Sequence, residues 1–215
     1  MAADVDIVRA VARAPLRTLR LKEVPELARN TWRTTDRLVE QGALVRLAHG
    51  VYTAVPDGRD GRTWKPPLEA AALALATARF GAREVALMGV SAARHWVAIP
   101  RAIGVATVAV PRRGYAPVTL EGGGLVKFVP RKMDALELVL ERTGLGEGLV
   151  TTPEQTLFDL LGRMDREGLG REVAGAVENL TPLVKPDEFA KIVARARIVP
   201  AGARDMRKRL EAANG

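Results

Sequence analysis

Apolar positions recur at helical spacing near the start of the chain and predict its first helix. Within residues 4–14, Val5, Val8 and Val11 lie three residues apart, so they share one face. Acidic residues occupy the first turn, where the positive end of the helix dipole stabilises them. Pro15 ends the pattern because proline cannot continue a helix.

The next forty residues predict two further helices and a hairpin. Residues 16–29 fit a short strand followed by a short helix over 24–29. Thr31 can cap a third helix over 32–41, and Gly42 supplies a left-handed stop. The runs ALVRL and VYTAV then flank the turn AHG and predict a β-hairpin. The order helix, helix, helix, hairpin predicts a winged helix-turn-helix.

A turn-rich segment, PDGRDGRTWKPP (residues 56–67), predicts a boundary between two domains. We expect a winged helix-turn-helix domain over residues 1–58 and a second domain over residues 66–215. The second domain is expected to be strand-rich over 84–150 and helical over 152–215. The predicted fold class is therefore α+β, with a mixed β-sheet and helical carboxyl-terminal domain.

Within the second domain, LEAAALALATARF has little polar face and predicts a buried helix. Thr152 is the expected cap of a helix whose first position is Pro153. Ser91 is the expected cap of a shorter helix. The predicted strands are 84–89, 103–110, 116–120, 125–130 and 136–141, with a helix as the alternative for 136–141. The predicted late helices are 169–180, 187–197 and 202–213.

Composition narrows the class of protein. The 215 residues are 47% hydrophobic and 27% charged, contain no cysteine, and carry a formal net charge of +8. No apolar run approaches the ~20 residues of a membrane helix, so we expect a cytoplasmic protein with no membrane partner. A basic balance of this size makes nucleic acid or an acidic protein surface a plausible partner.

The predicted helix 32–41 presents a cationic face. Arg33, Thr34, Arg37 and Gln41 stand at offsets 0, 1, 4 and 8, which gathers them on one side. A helix fits the major groove of DNA, where Arg can contact guanine and Thr or Gln can contact other base edges. An ordinary solvated face would look similar, but its place beside a basic hairpin favours DNA binding. Further DNA contacts are predicted for Arg17, Arg29, Thr31, Arg46 and His49, and Arg13 is also suitably placed.

Two aromatic residues of this region have a different interpretation. Trp32 and Tyr52 could contact nucleic acid, but we expect them to belong to the core of the small domain.

Five segments in order give the chain a family resemblance: LVEQGALVRLAHGVYTAV, LMGVSAARHWVAIP, VAVPRR, VKFVPRK and LVTTPEQTLFDLL. Together they resemble the AbiEi-type antitoxins of bacterial type IV toxin–antitoxin systems. The resemblance implies a protein that represses its own operon by binding promoter DNA. It also implies neutralisation of a cognate nucleotidyltransferase-like toxin. One winged module covers few base pairs, so we expect a homodimer or cooperative pair on inverted repeats of the operator DNA.

A second basic region follows in the chain. Residues 94–132 carry seven Lys or Arg residues and one Glu, a net charge of +6. An additional DNA contact, an acidic toxin surface or RNA could use these charges, and they could also simply keep strand edges soluble. We favour an extended DNA footprint. The residues concerned are Arg94, Arg112, Arg113, Lys127, Arg131 and Lys132, with Arg101 between them.

No motif predicts catalysis, a cofactor or a metal site. The two histidines, His49 and His95, fall in different predicted domains, and Ser91 lacks the G-x-S-x-G elbow of hydrolases. Two alternatives to an antitoxin stay open at this point. One is a winged-helix regulator with a ligand-sensing carboxyl-terminal domain, and the other is an enzyme that modifies the toxin by phosphorylation.

Overall fold

The computed structural model describes residues 2–23, 31–162 and 169–213. These residues form helices and two separate β-sheets, which confirms the predicted α+β class. The predicted helix over 24–29 lies outside the described residues. No helix in the described ranges has the length and hydropathy needed to cross a membrane.

The amino-terminal unit joins helices to a small antiparallel sheet. Its strands lie in the order β1, β3, β2, and the hairpin is the predicted one. Gly42 ends the second helix with a φ of +75°, as expected. The elements are α1 (Ala2–Arg13), β1 (Thr18–Arg20), α2 (Thr31–Glu40), β2 (Leu44–Ala48) and β3 (Val51–Ala54).

One apolar cluster holds this unit together. Ile7 and Val11 of α1 pack with Leu38 of α2 and with Leu44 and Tyr52 of the hairpin, and all five side chains are buried. Val5, which the sequence placed on the apolar face, is instead 54% exposed, so the buried face of α1 is centred on Ile7 and Val11. The expectation that Tyr52 is a core residue is confirmed.

The second sheet is mixed. In the described part of the chain its strands lie in the order β6, β7, β5, β4, β9, β8, with β5–β7 and β4–β9 parallel and the other pairs antiparallel. The strands are β4 (Ala86–Leu87), β5 (Val105–Val110), β6 (Val118–Thr119), β7 (Leu125–Pro130), β8 (Leu138–Thr143) and β9 (Gly146–Thr151).

Helix α3 (Leu68–Phe80) covers one face of this sheet, and Ala70 to Thr77 are all buried. The same cluster includes Leu16, Leu47 and Val51 of the amino-terminal unit. The two predicted domains thus share one hydrophobic core, and the segment 56–67 runs along its surface.

The connecting segment is docked closely against the end of α2. The N–H of Gly61 donates to the carbonyl of Gly42 over 3.0 Å. A Cβ atom on Gly61 would lie 2.6 Å from Val55 Cγ2 and 2.7 Å from the Gly42 oxygen. Only glycine permits this approach, so the turn-forming composition of the segment has a packing role as well.

Helices pack beside the second sheet as a carboxyl-terminal layer. The Thr152 hydroxyl accepts a hydrogen bond from the N–H of Gln155 at 3.2 Å, which confirms the predicted cap. The last three helices lie within two residues of their predicted bounds. The helices are α4 (Gly89–His95), α5 (Pro153–Leu161), α6 (Gly170–Leu180), α7 (Pro186–Arg195) and α8 (Ala201–Ala213).

Two expectations for the second domain were wrong. Ser91 does not cap α4, which begins at Gly89; its buried hydroxyl accepts from the N–H of Thr107 at 2.7 Å and joins α4 to β5. Strand β9 was not predicted because three glycines in residues 144–151 lower its β-propensity. A Cβ on Gly148 would lie 2.4 Å from Leu73, so glycine is what lets this strand pass under α3.

Candidate nucleic-acid interface

Helix α2 presents its predicted polar face to solvent. Arg33, Arg37 and Gln41 are exposed, and Thr34 is half-buried. Leu38 is buried on the opposite side of the helix, which leaves the cationic face free of the core. The structure therefore brings these four predicted residues together. Thr31 begins α2, whereas Arg29 lies outside the described residues.

Arg37 has an intramolecular partner. Its Nη2 donates to Oδ1 of Asp4 on α1 over 2.6 Å, while the Arg37 side chain stays 51% exposed. An exposed ion pair contributes little to stability, about 0–1 kcal/mol, so a ligand could compete for this guanidinium. Arg33 has no such partner among the described residues.

Trp32 is not a core residue, contrary to expectation. Its side chain is 48% exposed at the first turn of α2. The ring lies against His49 at the hairpin tip, with 5.4 Å between centroids and 34° between planes. The hairpin turns back at Gly50, whose φ is +68°, so that its tip reaches the start of α2. Trp32 and His49 therefore form an exposed aromatic surface that joins α2 to the hairpin.

Arg46 is held within the protein, so its predicted DNA contact needs correction. The guanidinium pairs with Asp36 of α2, approaches Oε1 of Glu121 at 3.7 Å, and lies 5.5 Å from the centroid of the Tyr52 ring. Burial lowers the pKa of Arg46, but its interactions with Tyr52, Glu121 and Asp36 outweigh this effect and the pKa is raised. Any contact with phosphate would first have to separate these pairs.

Arg17 also has an internal role that the sequence did not reveal. Its Nε and Nη2 donate to the carbonyls of Ala54 and Val55 at 3.3 and 3.1 Å. Leu16 and Arg17 both adopt a φ of 51°, a conformation that non-glycine residues rarely adopt. The two hydrogen bonds hold this turn against the end of β3, so Arg17 is occupied as a structural residue.

Part of the second basic region gathers at one edge of the sheet, as predicted. Strands β5 and β7 are parallel, with Val110 opposite Pro130. The residues that follow each strand therefore leave the sheet at the same edge. Arg112, Arg113 and Lys132 are exposed there.

The other members of the predicted region do not belong to a free basic patch. Arg94 is mostly buried and pairs with Glu69, and Arg101 pairs with Glu172. Arg131 lies 3.9 Å from the buried Asp159 carboxylate. Lys127 stands opposite Thr107 in the middle of the sheet. Each of these positions is explained by local pairing or register, which charge counting cannot detect.

The sequence did not predict a cavity that lies between the cationic face of α2 and the sheet edge with Arg112 and Arg113. It has a volume of about 260 Å³ and is lined by Arg20, His49, Val51, Arg79 and Tyr115. No sequence signal links Arg20 to Arg79, because they are 59 positions apart and lie in different predicted domains. The cavity connects the hairpin tip to the loop that carries Arg112 and Arg113.

The described residues offer little to a catalytic interpretation. No group of three His, Asp or Glu side chains among them could hold a metal ion. His95 lies 3.4 Å from Glu141 in the second domain, away from His49 at the hairpin tip.

Comparison with known proteins gives the fold alone. No family model and no curated protein sequence matches the chain. A crystal structure of the Rv2827c protein from Mycobacterium tuberculosis is similar, with a TM-score of 0.62 and 17% sequence identity. The match covers 100% of this chain and 78% of that chain. A likeness at this identity supports a shared fold and carries no function.

The internal role of Arg17 gives a first prediction. Arg17→Met keeps the aliphatic stem but removes both donors, so the free energy of unfolding should fall by about 1–3 kcal/mol. The matched change Arg13→Met, at an exposed position of α1, should alter it by no more than about 0.5 kcal/mol. Urea unfolding of both variants measures the difference. An Arg17→Met protein of unchanged stability but weakened DNA binding would restore the phosphate contact predicted from sequence.

Proposed function

We propose that the protein is a DNA-binding antitoxin of the AbiEi type that represses its own operon. The observation that carries the DNA-binding half is the exposed face of α2 beside the exposed hairpin tip. Arg33, Arg37 and Gln41 stand on a helix whose other side is buried, so the face is held rigidly. A rigid cationic helix of this kind suits insertion into the major groove.

In this proposal the amino-terminal unit is a winged helix. Helix α2 is the recognition helix, the β2–β3 hairpin is the wing, and the tilted contact of Trp32 with His49 joins them. Arg33 is the foremost candidate for base contact because no described carboxylate pairs with it. Arg112 and Arg113 supply further contacts to the backbone, which position the protein without reading sequence.

The antitoxin half depends on the ordered segments that resemble the family. The first segment builds the β2–β3 hairpin, and the other four contribute to β4, α4, β5, β7, β9 and α5 and so form the framework of the second domain. Some of their polar side chains are used internally, since Ser91 holds β5 and the hydroxyls of Thr151 and Thr156 lie 2.7 Å apart, whereas Arg112 and Arg113 are exposed. The toxin-binding surface therefore has to lie on residues outside these buried contacts.

A second cavity favours one alternative function. It has a volume of about 250 Å³ and lies between the hairpin, the connecting segment and the turn after β6. Val39, Leu47 and Leu120 give it apolar walls, and Lys65 and Glu121 give it charges. A small effector bound there would touch both halves of the molecule, as a ligand-sensing regulator requires. Toxin modification by this chain has no comparable supporting observation.

The recognition role of α2 gives a second prediction. Arg33→Gln should weaken binding to the protein's own upstream DNA by about 1–3 kcal/mol and should weaken binding to random duplex less. Arg209→Gln, at an exposed site on α8, is the matched control and should leave both affinities unchanged. Fluorescence anisotropy with the two duplexes measures the effect. Equal affinity of the unmutated protein for both duplexes would refute operator recognition.

The sheet-edge arginines give a third prediction. The double change Arg112→Glu and Arg113→Glu should lower DNA affinity and reduce the slope of log K against log salt by about 2, since each phosphate contact contributes about 0.9. The control pair Lys208→Glu and Arg209→Glu makes the same charge change on α8. An unchanged affinity and slope in the Arg112–Arg113 variant would remove the second contact.

The antitoxin half is tested with the neighbouring gene. A nucleotidyltransferase-like protein encoded beside this one should co-purify with it, and co-expression should relieve growth arrest. Incubation of the two proteins with ATP, followed by mass spectrometry of the toxin, separates binding from modification. A phosphate-sized mass gain would support the enzyme alternative, whereas growth arrest that persists on co-expression would refute neutralisation.

A further inference from the structure

The cavity between the two basic surfaces is built from both halves of the molecule. Arg20 is the last residue of β1, and His49 and Val51 come from the hairpin. Arg79 comes from the last turn of α3, and Tyr115 from the loop after β5. Because α3 contacts β1 directly and shares a core with Val51 of the hairpin, these elements are held in fixed positions relative to one another.

Two of the residues that line this cavity, Arg20 and Arg79, carry guanidinium groups with no carboxylate partner among the described residues. Among the described residues no carboxylate lies within ion-pair distance of Arg20 or Arg79. Arg46, Arg94 and Arg101, by contrast, each have a carboxylate partner. Burial, together with the nearby positive charge of Arg20, lowers the pKa of Arg79. Two like charges brought together in a half-buried place are unfavourable unless an anion joins them.

Aromatic rings fix the position of Arg79. Its guanidinium carbon lies 5.6 Å from the centroid of the Phe128 ring. The rings of Phe80 and Tyr115 meet edge to face at 4.7 Å, and Tyr115 is 6.4 Å from Phe128. A cation held over a ring loses little further freedom when it binds a ligand. The site is therefore organised before any anion arrives.

We propose that this cavity is an anion site that binds one phosphate group between Arg20 and Arg79. Guanidinium groups donate in a planar fork that matches phosphate oxygens, so two of them can share one phosphate. The volume of about 260 Å³ is below the range of roughly 300–1,000 Å³ that drug-sized ligands need, so a single small group fits it best.

The surroundings favour a DNA backbone phosphate as the source. His49 lines the cavity and contacts Trp32 at the start of α2, and Arg113 is two residues from Tyr115, which also lines the cavity. A duplex that contacts α2 and the sheet edge would pass over the cavity. This source rests on the proposed function, whereas the phosphate of a free nucleotide would bind the same groups without it.

The first experiment tests the site without DNA. Inorganic phosphate is titrated into the full-length, ¹⁵N-labelled protein at constant ionic strength, and the Nε–H signals of Arg20 and Arg79 are followed by NMR. We expect saturable shifts of both signals and an affinity about tenfold lower in Arg79→Gln. Arg20→Gln gives an independent variant on a different element, and Arg209→Gln is the matched control. Shifts that do not saturate, or that are equal in all variants, would overturn the site.

The second experiment identifies the source of the phosphate. Single methylphosphonate replacements along the operator duplex remove one backbone charge at a time. If DNA supplies the group, one replacement weakens binding to the unmutated protein and has no further effect on Arg20→Gln/Arg79→Gln, whose salt slope falls by about 1. If phosphate saturates the site but DNA binding is the same in both proteins, a free phosphate compound is the ligand.

The two experiments also separate this inference from the proposed function. Saturable phosphate binding in a protein that shows no preference for its own upstream DNA would support the site and refute operator recognition. Operator binding that is unaffected by the double change, together with no saturable phosphate shifts, would refute the site and leave operator recognition standing. Thermal unfolding of each variant shows that the compared proteins are folded.

Discussion

The burial of α3 is the contact on which both halves of the molecule depend. Its alanines let the helix approach the second sheet closely, and its other contacts are with Leu16, Leu47 and Val51 of the amino-terminal unit. Close-packed interiors have little room for adjustment, so the two units cannot rotate against one another without opening this cluster. The geometry of the cationic surface follows from a core that the two units share.

The protein contains two kinds of arginine, which differ in whether the guanidinium group is used within the fold. Arg17, Arg46 and Arg94 serve the junctions and helix contacts, because each donates to carbonyls or pairs with a carboxylate inside the fold. Arg33 and Arg112 extend into solvent on the same molecule. Net charge alone treats these residues as equivalent. Their surroundings assign the first group to stability and leave the second group for partners.

Periodicity predicted the regular elements well. The bounds of α3 and β7 match the sequence pattern, and those of α6 to α8 lie within two residues of it, because the apolar content or spacing of each segment is a local signal. The sequence did not predict β9, in which the close approach of Leu73 requires a glycine at position 148. Local propensity describes a segment by itself, and here a distant helix determined what the strand must contain.

The candidate site was predictable only where one element supplies it. The polar face of α2 could be predicted from the sequence, since Arg33 and Arg37 are four residues apart and so lie one helical turn from each other. The exposure of Trp32 depends on the hairpin tip, and the cavity of Arg20 and Arg79 depends on tertiary packing. Such sites form between elements that are distant in sequence and meet only in the folded protein.

The shared core also bears on how the chain could be divided. A fragment that ended at the connecting segment would expose Leu16, Leu47 and Val51. These side chains would then form part of an exposed hydrophobic patch. Such a fragment would tend to self-associate or aggregate in solution. The amino-terminal unit therefore depends on the rest of the chain to cover these apolar side chains.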